Sequence, residues 1–227
     1  MTDIHTHLIP GIDDGSQSVG ETRLLCEAMQ AQGVDRIIAT PHFYADSEDP
    51  GDFIRKRDEA YETMRDLADE FHVIKGAEVR YFTGVGIAEN IDRLLIDGTN
   101  FLLLELADKK VNGYVIDDLM ELRSRNIRPI IAHLNRYREF HDDKFIEFCN
   151  MNGMPIQLNT ESLMRWYSRR RAIELIGSGR AQFLATDCHD LTARKPDLKE
   201  AFDIVRKHLG NAHTDDFIEN GERILAG

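Results

Sequence analysis

The side chains best equipped for chemistry sit in two short stretches at opposite ends of the chain. Near the start, DIHTHLIPGIDDGS places His5 and His7 one residue apart and reaches Asp14 a few residues later. Near the end, ATDCHDLTAR sets Asp187 and His189 one residue apart, with Cys188 between them and Arg194 beyond. This second stretch has two readings, and both are compatible with phosphate chemistry. Cys188 followed after five residues by Arg194 is the spacing of thiol-based tyrosine phosphatases, whereas Asp-x-His is a pair of metal ligands. Alternation on a strand favours the metal: residues two apart share a face, so His5 pairs with His7 and Asp187 with His189, while Thr6 and Cys188 point the other way. A cysteine facing the helices behaves as a small buried hydrophobe. The intervening HDLTA also lacks the glycine of a tight phosphate cradle and carries Asp190, which would repel a phosphate.

Four more ligand-type residues close short apolar runs: His42 in TPH, Glu78 in GAE, Glu105 in LLLE and His133 in IIAH. Taken singly, each has a plainer reading, a structural histidine or a carboxylate at an exposed strand end. Taken together they differ, because so many imidazoles and carboxylates gathered at one place would suffer desolvation and repulsion unless cations neutralised them. His5, His7, Asp14, His42, Glu78, Glu105, His133, Asp187 and His189 are too many for one ion, so two or three divalent ions are expected. Imidazole and carboxylate without thiolate suit manganese, iron or zinc and argue against calcium.

Such residues must be held by regular elements, and these follow a strand-then-helix order. Apolar, β-branched runs fall at residues 3–9, 36–40, 73–79, 101–106, 128–133, 155–159 and 182–187, and helix-like segments follow them. In residues 50–71, Phe53, Ala60, Met64, Leu67, Ala68 and Phe71 fall on one helical face, as do Leu198, Ala201, Phe202, Val205 and Leu209 later. Seven βα units without a glycine-rich dinucleotide turn predict an α/β fold, a distorted (β/α)7 TIM-like barrel. Six of the seven predicted strands then end in ligand-type residues, at the end of the barrel where active sites lie.

The 227 residues, 42% hydrophobic and 30% charged, fit one domain spanning residues 1–227. A net charge of -12 disfavours nucleic acid and anionic membrane as partners. The start shows no basic region followed by an apolar segment, and no apolar run approaches a membrane span, so a cytoplasmic protein is expected. Three scattered cysteines, Cys26, Cys149 and Cys188, form neither a disulfide framework nor a CxxC site. A homo-oligomer is compatible with the sequence, which shows no legible interface.

The motifs DIHTHLIPGIDDGS, ATPHF, KGAEV, IIAHLNRY and ATDCHD…RKP, in this order, resemble the PHP (polymerase and histidinol phosphatase) family. Within it they are similar to the bacterial capsule-assembly, manganese-dependent tyrosine-protein phosphatases. The resemblance spans nearly the whole chain and implies a seven-unit distorted barrel with a trinuclear centre. It implies that His5, His7, Glu78 and Asp187 hold one ion, with Glu78 bridging to the next, and that Asp14, His42, Glu105, His133 and His189 complete the others. Arg136 and Arg194 match the phosphate-contacting arginines. Asn135 departs from the subgroup, which often has glutamate there, and Cys188 stands where methionine or another residue is frequent.

The implied activity is hydrolysis of phosphotyrosine, with the tail of a capsule or exopolysaccharide tyrosine kinase as substrate, by in-line attack of a hydroxide bridging two metal ions. A small-molecule phosphomonoesterase of the histidinol-phosphatase type is the alternative. A nuclease must contend with the charge, and a silent metal-binding barrel with the full ligand set. Asp190 is a speculative proton donor. Two loops are candidates for reading the substrate: one carries Phe43 and Tyr44, the other Trp166 with Arg165, Arg169, Arg170 and Arg171.

Overall fold

The computed structural model describes residues 1–106 and 111–226. The chain runs β1 (Thr2–Thr6), α1 (Val19–Gln30), β2 (Arg36–Ala39), β3 (His42–Phe43), α2 (Pro50–Thr63), α3 (Arg65–Phe71), β4 (Val73–Lys75) and β5 (Glu78–Arg80). It continues through β6 (Phe101–Glu105), α4 (Gly113–Ser124), β7 (Arg128–Ile131), α5 (Asp143–Met151) and β8 (Gln157–Asn159). The last elements are α6 (Glu161–Met164), α7 (Trp166–Gly177), β9 (Phe183–Ala185), α8 (Leu198–Leu209) and α9 (Asn211–Ala226).

The ladders are parallel, in the orders β1-β2-β4, β3-β5-β6-β7 and β8-β9. Isolated bridges Ile131 to Ile156 and Thr6 to Cys188 make two of the joins between these pieces, and the third runs through the chain itself, from β2 into β3 and from β4 into β5, which closes the ring. At the closing seam His7 N–H donates to Cys188 O at 2.8 Å and Asp187 N–H to His5 O at 2.9 Å. Among the described residues nine short strands thus fill seven barrel positions, and the fold is a distorted (β/α)7 barrel.

Two predicted strands differ in the structure. The second, predicted over residues 36–40, ends at Ala39, and the chain resumes as β3 beyond Pro41, which has no N–H to continue the ladder. The third, predicted over residues 73–79, breaks at Gly76 and Ala77, where Gly76 N–H still reaches Ala39 O at 2.8 Å. The helix predicted over residues 50–71 is likewise two, divided at Met64.

Alternation separates two apolar layers. Ile38, Phe101, Leu103, Ile130, Ala132, Phe183 and Ala185 form an inner cluster with Ile4, whereas Ile37, Ala39, Leu102, Leu104, Ile131, Leu158 and Leu184 pack toward the helices. The helices close the outside with one apolar face each: Leu198, Ala201, Phe202 and Val205 of α8 are buried. No described helix is long and apolar enough to cross a membrane.

Candidate metal centre

Above the inner apolar layer, the barrel's C-terminal end gathers all nine predicted ligands. Glu78, the first residue of β5, lies at the middle. Its Oε2 is 3.1 Å from His5 Nε2, 3.4 Å from His7 Nε2 and 2.8 Å from His42 Nδ1, and its Oε1 is 2.6 Å from His133 Nε2. Asp187 Oδ1 approaches the same two imidazoles, 3.5 Å from His5 Nε2 and 3.2 Å from His7 Nε2. Asp14 Oδ1 lies 3.2 Å from His189 Nε2 and 3.6 Å from His42 Nε2, and Glu105 Oε1 lies 3.9 Å from His133 Nε2. Three overlapping sets offer converging donor atoms: His5, His7, Glu78 and Asp187; His7, Asp14, His42 and His189; and His42, Glu78 and Glu105.

Alternation accounts for part of this placement. His42 precedes Phe43, which belongs to the outer layer, and Glu105 shares parity with Phe101 and Leu103 of the inner one. Elsewhere the backbone departs from the regular strand. β1 shifts register between Asp3 and Thr6, so that Ile4 joins the inner apolar layer while the next residue, His5, still faces the cluster. His133 follows inward-packed Ala132 and would point away on a regular strand; its φ of 29° turns it back. Asp187 has φ 55°, so the Asp-x-His pair converges through a turned backbone rather than through strand alternation. Left-handed backbone at non-glycine residues costs about 1–3 kcal/mol and gathers where a site demands it.

The electrostatics fit cations. Burial works against charge on Glu78 and Asp187, yet the surrounding histidines, His5 foremost, hold both carboxyls well below the usual range. His5 and His7, also opposed by burial, are raised above 6.5 by the carboxylates they face. His189 moves the other way, to about 4, through burial and its neighbours His7 and Arg194. Among the described residues, His42 Nδ1, Glu78 Oε2, His133 Nδ1, His189 Nε2 and Asp197 Oδ1 are buried without a hydrogen bond of normal geometry, although His42 Nδ1 and Glu78 Oε2, and His189 Nε2 and Asp14 Oδ1, lie close together. All but Asp197 Oδ1 belong to this cluster. Buried polar atoms are normally satisfied, and ring nitrogens and a carboxylate oxygen gathered without hydrogen bonds are what divalent ions would complete.

Around the ligand-type residues lies a polar shell that strand-end inspection missed. Asp13 Oδ2 accepts from His7 Nδ1 at 2.7 Å and from His42 N–H at 3.0 Å, and its carboxyl is held down to about 2, burial being outweighed by His7. Gln157 Oε1 accepts from His133 N–H at 2.6 Å and lies 3.3 Å from His5 Nδ1. Asn159 Nδ2 donates to Asp187 Oδ2 at 2.9 Å, and Asn159 N–H donates to Asn135 Oδ1 at 2.8 Å. The predicted strand without a ligand, now β8, therefore supplies residues that orient ligands. Its signal was Gln and Asn two apart in a buried run.

Arg136 and Arg194 straddle Asp187: Arg136 Nη2 lies 2.6 Å from Oδ2 and Arg194 Nη2 2.9 Å from Oδ1, both guanidiniums being partly exposed. Asp190 is not placed to give a proton. Its carboxylate accepts from Thr192 N–H, Thr192 Oγ1 and Ala193 N–H, and these bonds hold it ionised down to about 2. Cys188 is fully buried among apolar side chains, and burial pushes its thiol far up, so it offers no thiolate.

The two suggested recognition loops divide. Phe43 is a core residue packed on Phe53 and is unavailable to substrate. Tyr44 does border the centre, stacked on His42 at 5.2 Å with the Arg80 guanidinium 5.7 Å from its ring. Within the basic cluster, Arg169 donates to the carbonyls of Leu163 and Met164, and Arg171 to Phe140 O, Asp143 and Glu174, so both are structural. Arg165 and Arg170 remain exposed.

The family model described as capsular polysaccharide synthesis, CpsB/CapC, matches residues 1–226. Tyrosine-protein phosphatase YwqE of Bacillus subtilis (strain 168) is 26% identical over 242 residues, covering 99% of this chain and 91% of the relative. Tyrosine-protein phosphatase CpsB of Streptococcus agalactiae serotype III is 27% identical over 242 residues, covering 99% and 98%. Among solved structures, work on YwqE from Bacillus subtilis and CpsB from Streptococcus pneumoniae, described as unique metal-dependent tyrosine phosphatases, provides a chain that superposes with TM-score 0.85 and 26% identity over 100% of this chain and 94% of that one. A mutant organophosphorus hydrolase at 14% identity and TM-score 0.57 shares the fold alone. With the model matched nearly end to end and the whole chain superposing on a solved relative, the chain belongs to the CpsB/CapC family of capsular polysaccharide synthesis.

Proposed function

We propose that this chain is a metal-dependent protein-tyrosine phosphatase of capsule or exopolysaccharide synthesis, acting on the phosphorylated tail of a bacterial tyrosine kinase. The observation that carries the reading is the convergence of five imidazoles and four carboxylates at one barrel end, with unsatisfied buried donor atoms among them and two arginines at their edge. Two or three divalent ions are expected, manganese foremost, with iron or zinc also compatible. His5, His7, Glu78 and Asp187 would hold one, with Glu78 shared, and Asp14, His42, Glu105, His133 and His189 would complete the others. Bound there, such ions supply Lewis acidity and lower the pKa of water enough to give a nucleophile at neutral pH.

The chain's own groups do the rest. Asp13 and Gln157 orient His7 and His5, keeping each Nε2 toward the centre. Arg136 and Arg194 each present a planar guanidinium able to bind two phosphoryl oxygens and offset charge in the transition state. A phenolate departs with little protonation, so Asp190 can be spent on loop structure. On this reading residues 1–227 act as one catalytic unit. A cytoplasmic setting fits three unpaired cysteines, all buried.

The test is turnover of a phosphotyrosine peptide by protein stripped with chelator and reconstituted with manganese, with Cys188→Ser beside wild type. Activity should vanish on stripping, return with metal and survive the serine substitution. Activity that ignores chelator and dies with Cys188→Ser would sink the metal mechanism.

A further inference from the structure

At the N-terminus of α7 the chain exposes two adjacent aromatic rings: Trp166 keeps 84% of its surface in water and Tyr167 61%. Their rings meet edge to face at 6.0 Å. Large aromatics left this open, without an apolar neighbour to bury them, characterise surfaces that bind something. A chain of charged contacts ties them to the centre. Arg136, on Asp187 through Nη2, also lies with Nε 3.7 Å from Glu161 Oε1. The other Glu161 oxygen, Oε2, is 3.2 Å from Arg165 Nη2, and Arg165 Nη1 donates to Tyr167 Oη at 3.1 Å. Glu161 thus holds both the arginine at the edge of the centre and the arginine beside the exposed rings.

We propose that Trp166, Tyr167, Arg165 and Arg170 form the docking rim for the acidic segment flanking the phosphotyrosine, an inference that rests on the phosphatase reading above. Continuity places the rim: it adjoins Arg136, so a peptide whose phosphate sits at the arginines has its neighbouring residues above α6 and α7. Charge selects the occupant. On a protein of net charge -12 a phosphorylated acidic peptide is repelled by most of the surface, and a path of exposed arginines leading to the centre offers it a favourable approach. Trp166 contributes flat apolar area at low entropic cost, and the guanidiniums of Arg165 and Arg170 take carboxylates. Glu161 serves as the positioning residue, since loss of its charge frees both Arg136 and Arg165.

The experiment compares kcat/KM for an acidic phosphotyrosine peptide with kcat/KM for p-nitrophenyl phosphate, in manganese-loaded wild type, Trp166→Ala and Arg165→Glu. Both substitutions are at exposed positions, and circular dichroism checks that each variant is folded. The peptide-over-ester ratio should fall about 5- to 10-fold in Trp166→Ala, through KM for the peptide, and further in Arg165→Glu. The Arg165→Glu loss should shrink as salt rises. A ratio within about twofold of wild type in both variants overturns the rim, because the peptide would then be gripped only by its phosphotyrosine. Wild type that turns over neither ester overturns the phosphatase reading beneath the proposal, and the proposal with it.

Discussion

Asp13 shows how much a single unassigned side chain can decide. One carboxylate oxygen serves both His7 Nδ1 and the His42 backbone N–H, while the other accepts from Gly15 N–H at 2.9 Å. In Asp13→Asn either amide orientation turns an NH2 group against a backbone N–H, so no rotamer restores the network. Manganese affinity should fall about 10- to 100-fold, measured by competition with a chelating dye; an unchanged affinity would refute the orienting role. The sequence held the clue in adjacent aspartates, Asp13 and Asp14, but both lie beyond the strand. Outside a strand, parity no longer says which of two neighbours faces a site. Phe43, by contrast, lies inside β3, where alternation with the inward His42 sends it to the core.

At the scale of elements, the loop after β1 works because Gly15 has no side chain. A Cβ there would stand 2.1 Å from His7 O and 2.5 Å from His7 Cβ. Since the obstacle includes backbone, Gly15→Ala must push the loop carrying Asp13 and Asp14 off His7. We expect a loss of about 1–3 kcal/mol of stability, together with weaker manganese binding. Thermal unfolding and metal titration of the same preparation would check both; a variant matching wild type in each would show that the loop tolerates the shift. The breaks at Pro41 and Gly76 belong to this scale too. Ladder interruption at Pro41 was predictable from its missing N–H, whereas Gly76 reads in sequence only as a weak point in an apolar run.

For the molecule as a whole, the centre couples metal to protons and to stability. Without metal, His5 and His7 titrate above 6.5, so their contribution to stability is fully present below that value and is lost as pH rises through the raised pKa values. Glu78, Asp187 and Asp13 are depressed, so theirs is present above about 4 and is lost as pH falls further. His189, lowered to about 4, opposes the two raised histidines between about 4 and 6.5 without reversing the alkaline trend. Metal-free protein should therefore lose melting temperature from neutral to alkaline pH, and manganese should remove that loss. Manganese binding near pH 6.5 should also release protons, because cations displace them from the imidazoles. Calorimetry in two buffers of different ionisation enthalpy measures this directly, and zero net release would contradict the charged histidine lattice.

Sequence by itself determined the repeating strand-helix order, the barrel that follows from it and the nine residues that meet at one end. These are legible because side-chain periodicity and strand ends are local properties, and because a parallel barrel sends every strand's C-terminal end to the same place. Tertiary structure alone decided the rest: that His133 and Asp187 reach the centre through left-handed backbone, that Gln157 and Asn159 of β8 hold ligand residues in place, and that Asp190 and two of the clustered arginines are spent on holding their loops. Those outcomes depend on which hydrogen-bond partners a closed barrel brings within 3 Å across more than a hundred residues of chain, as between His5 and Gln157, and no local pattern encodes that meeting.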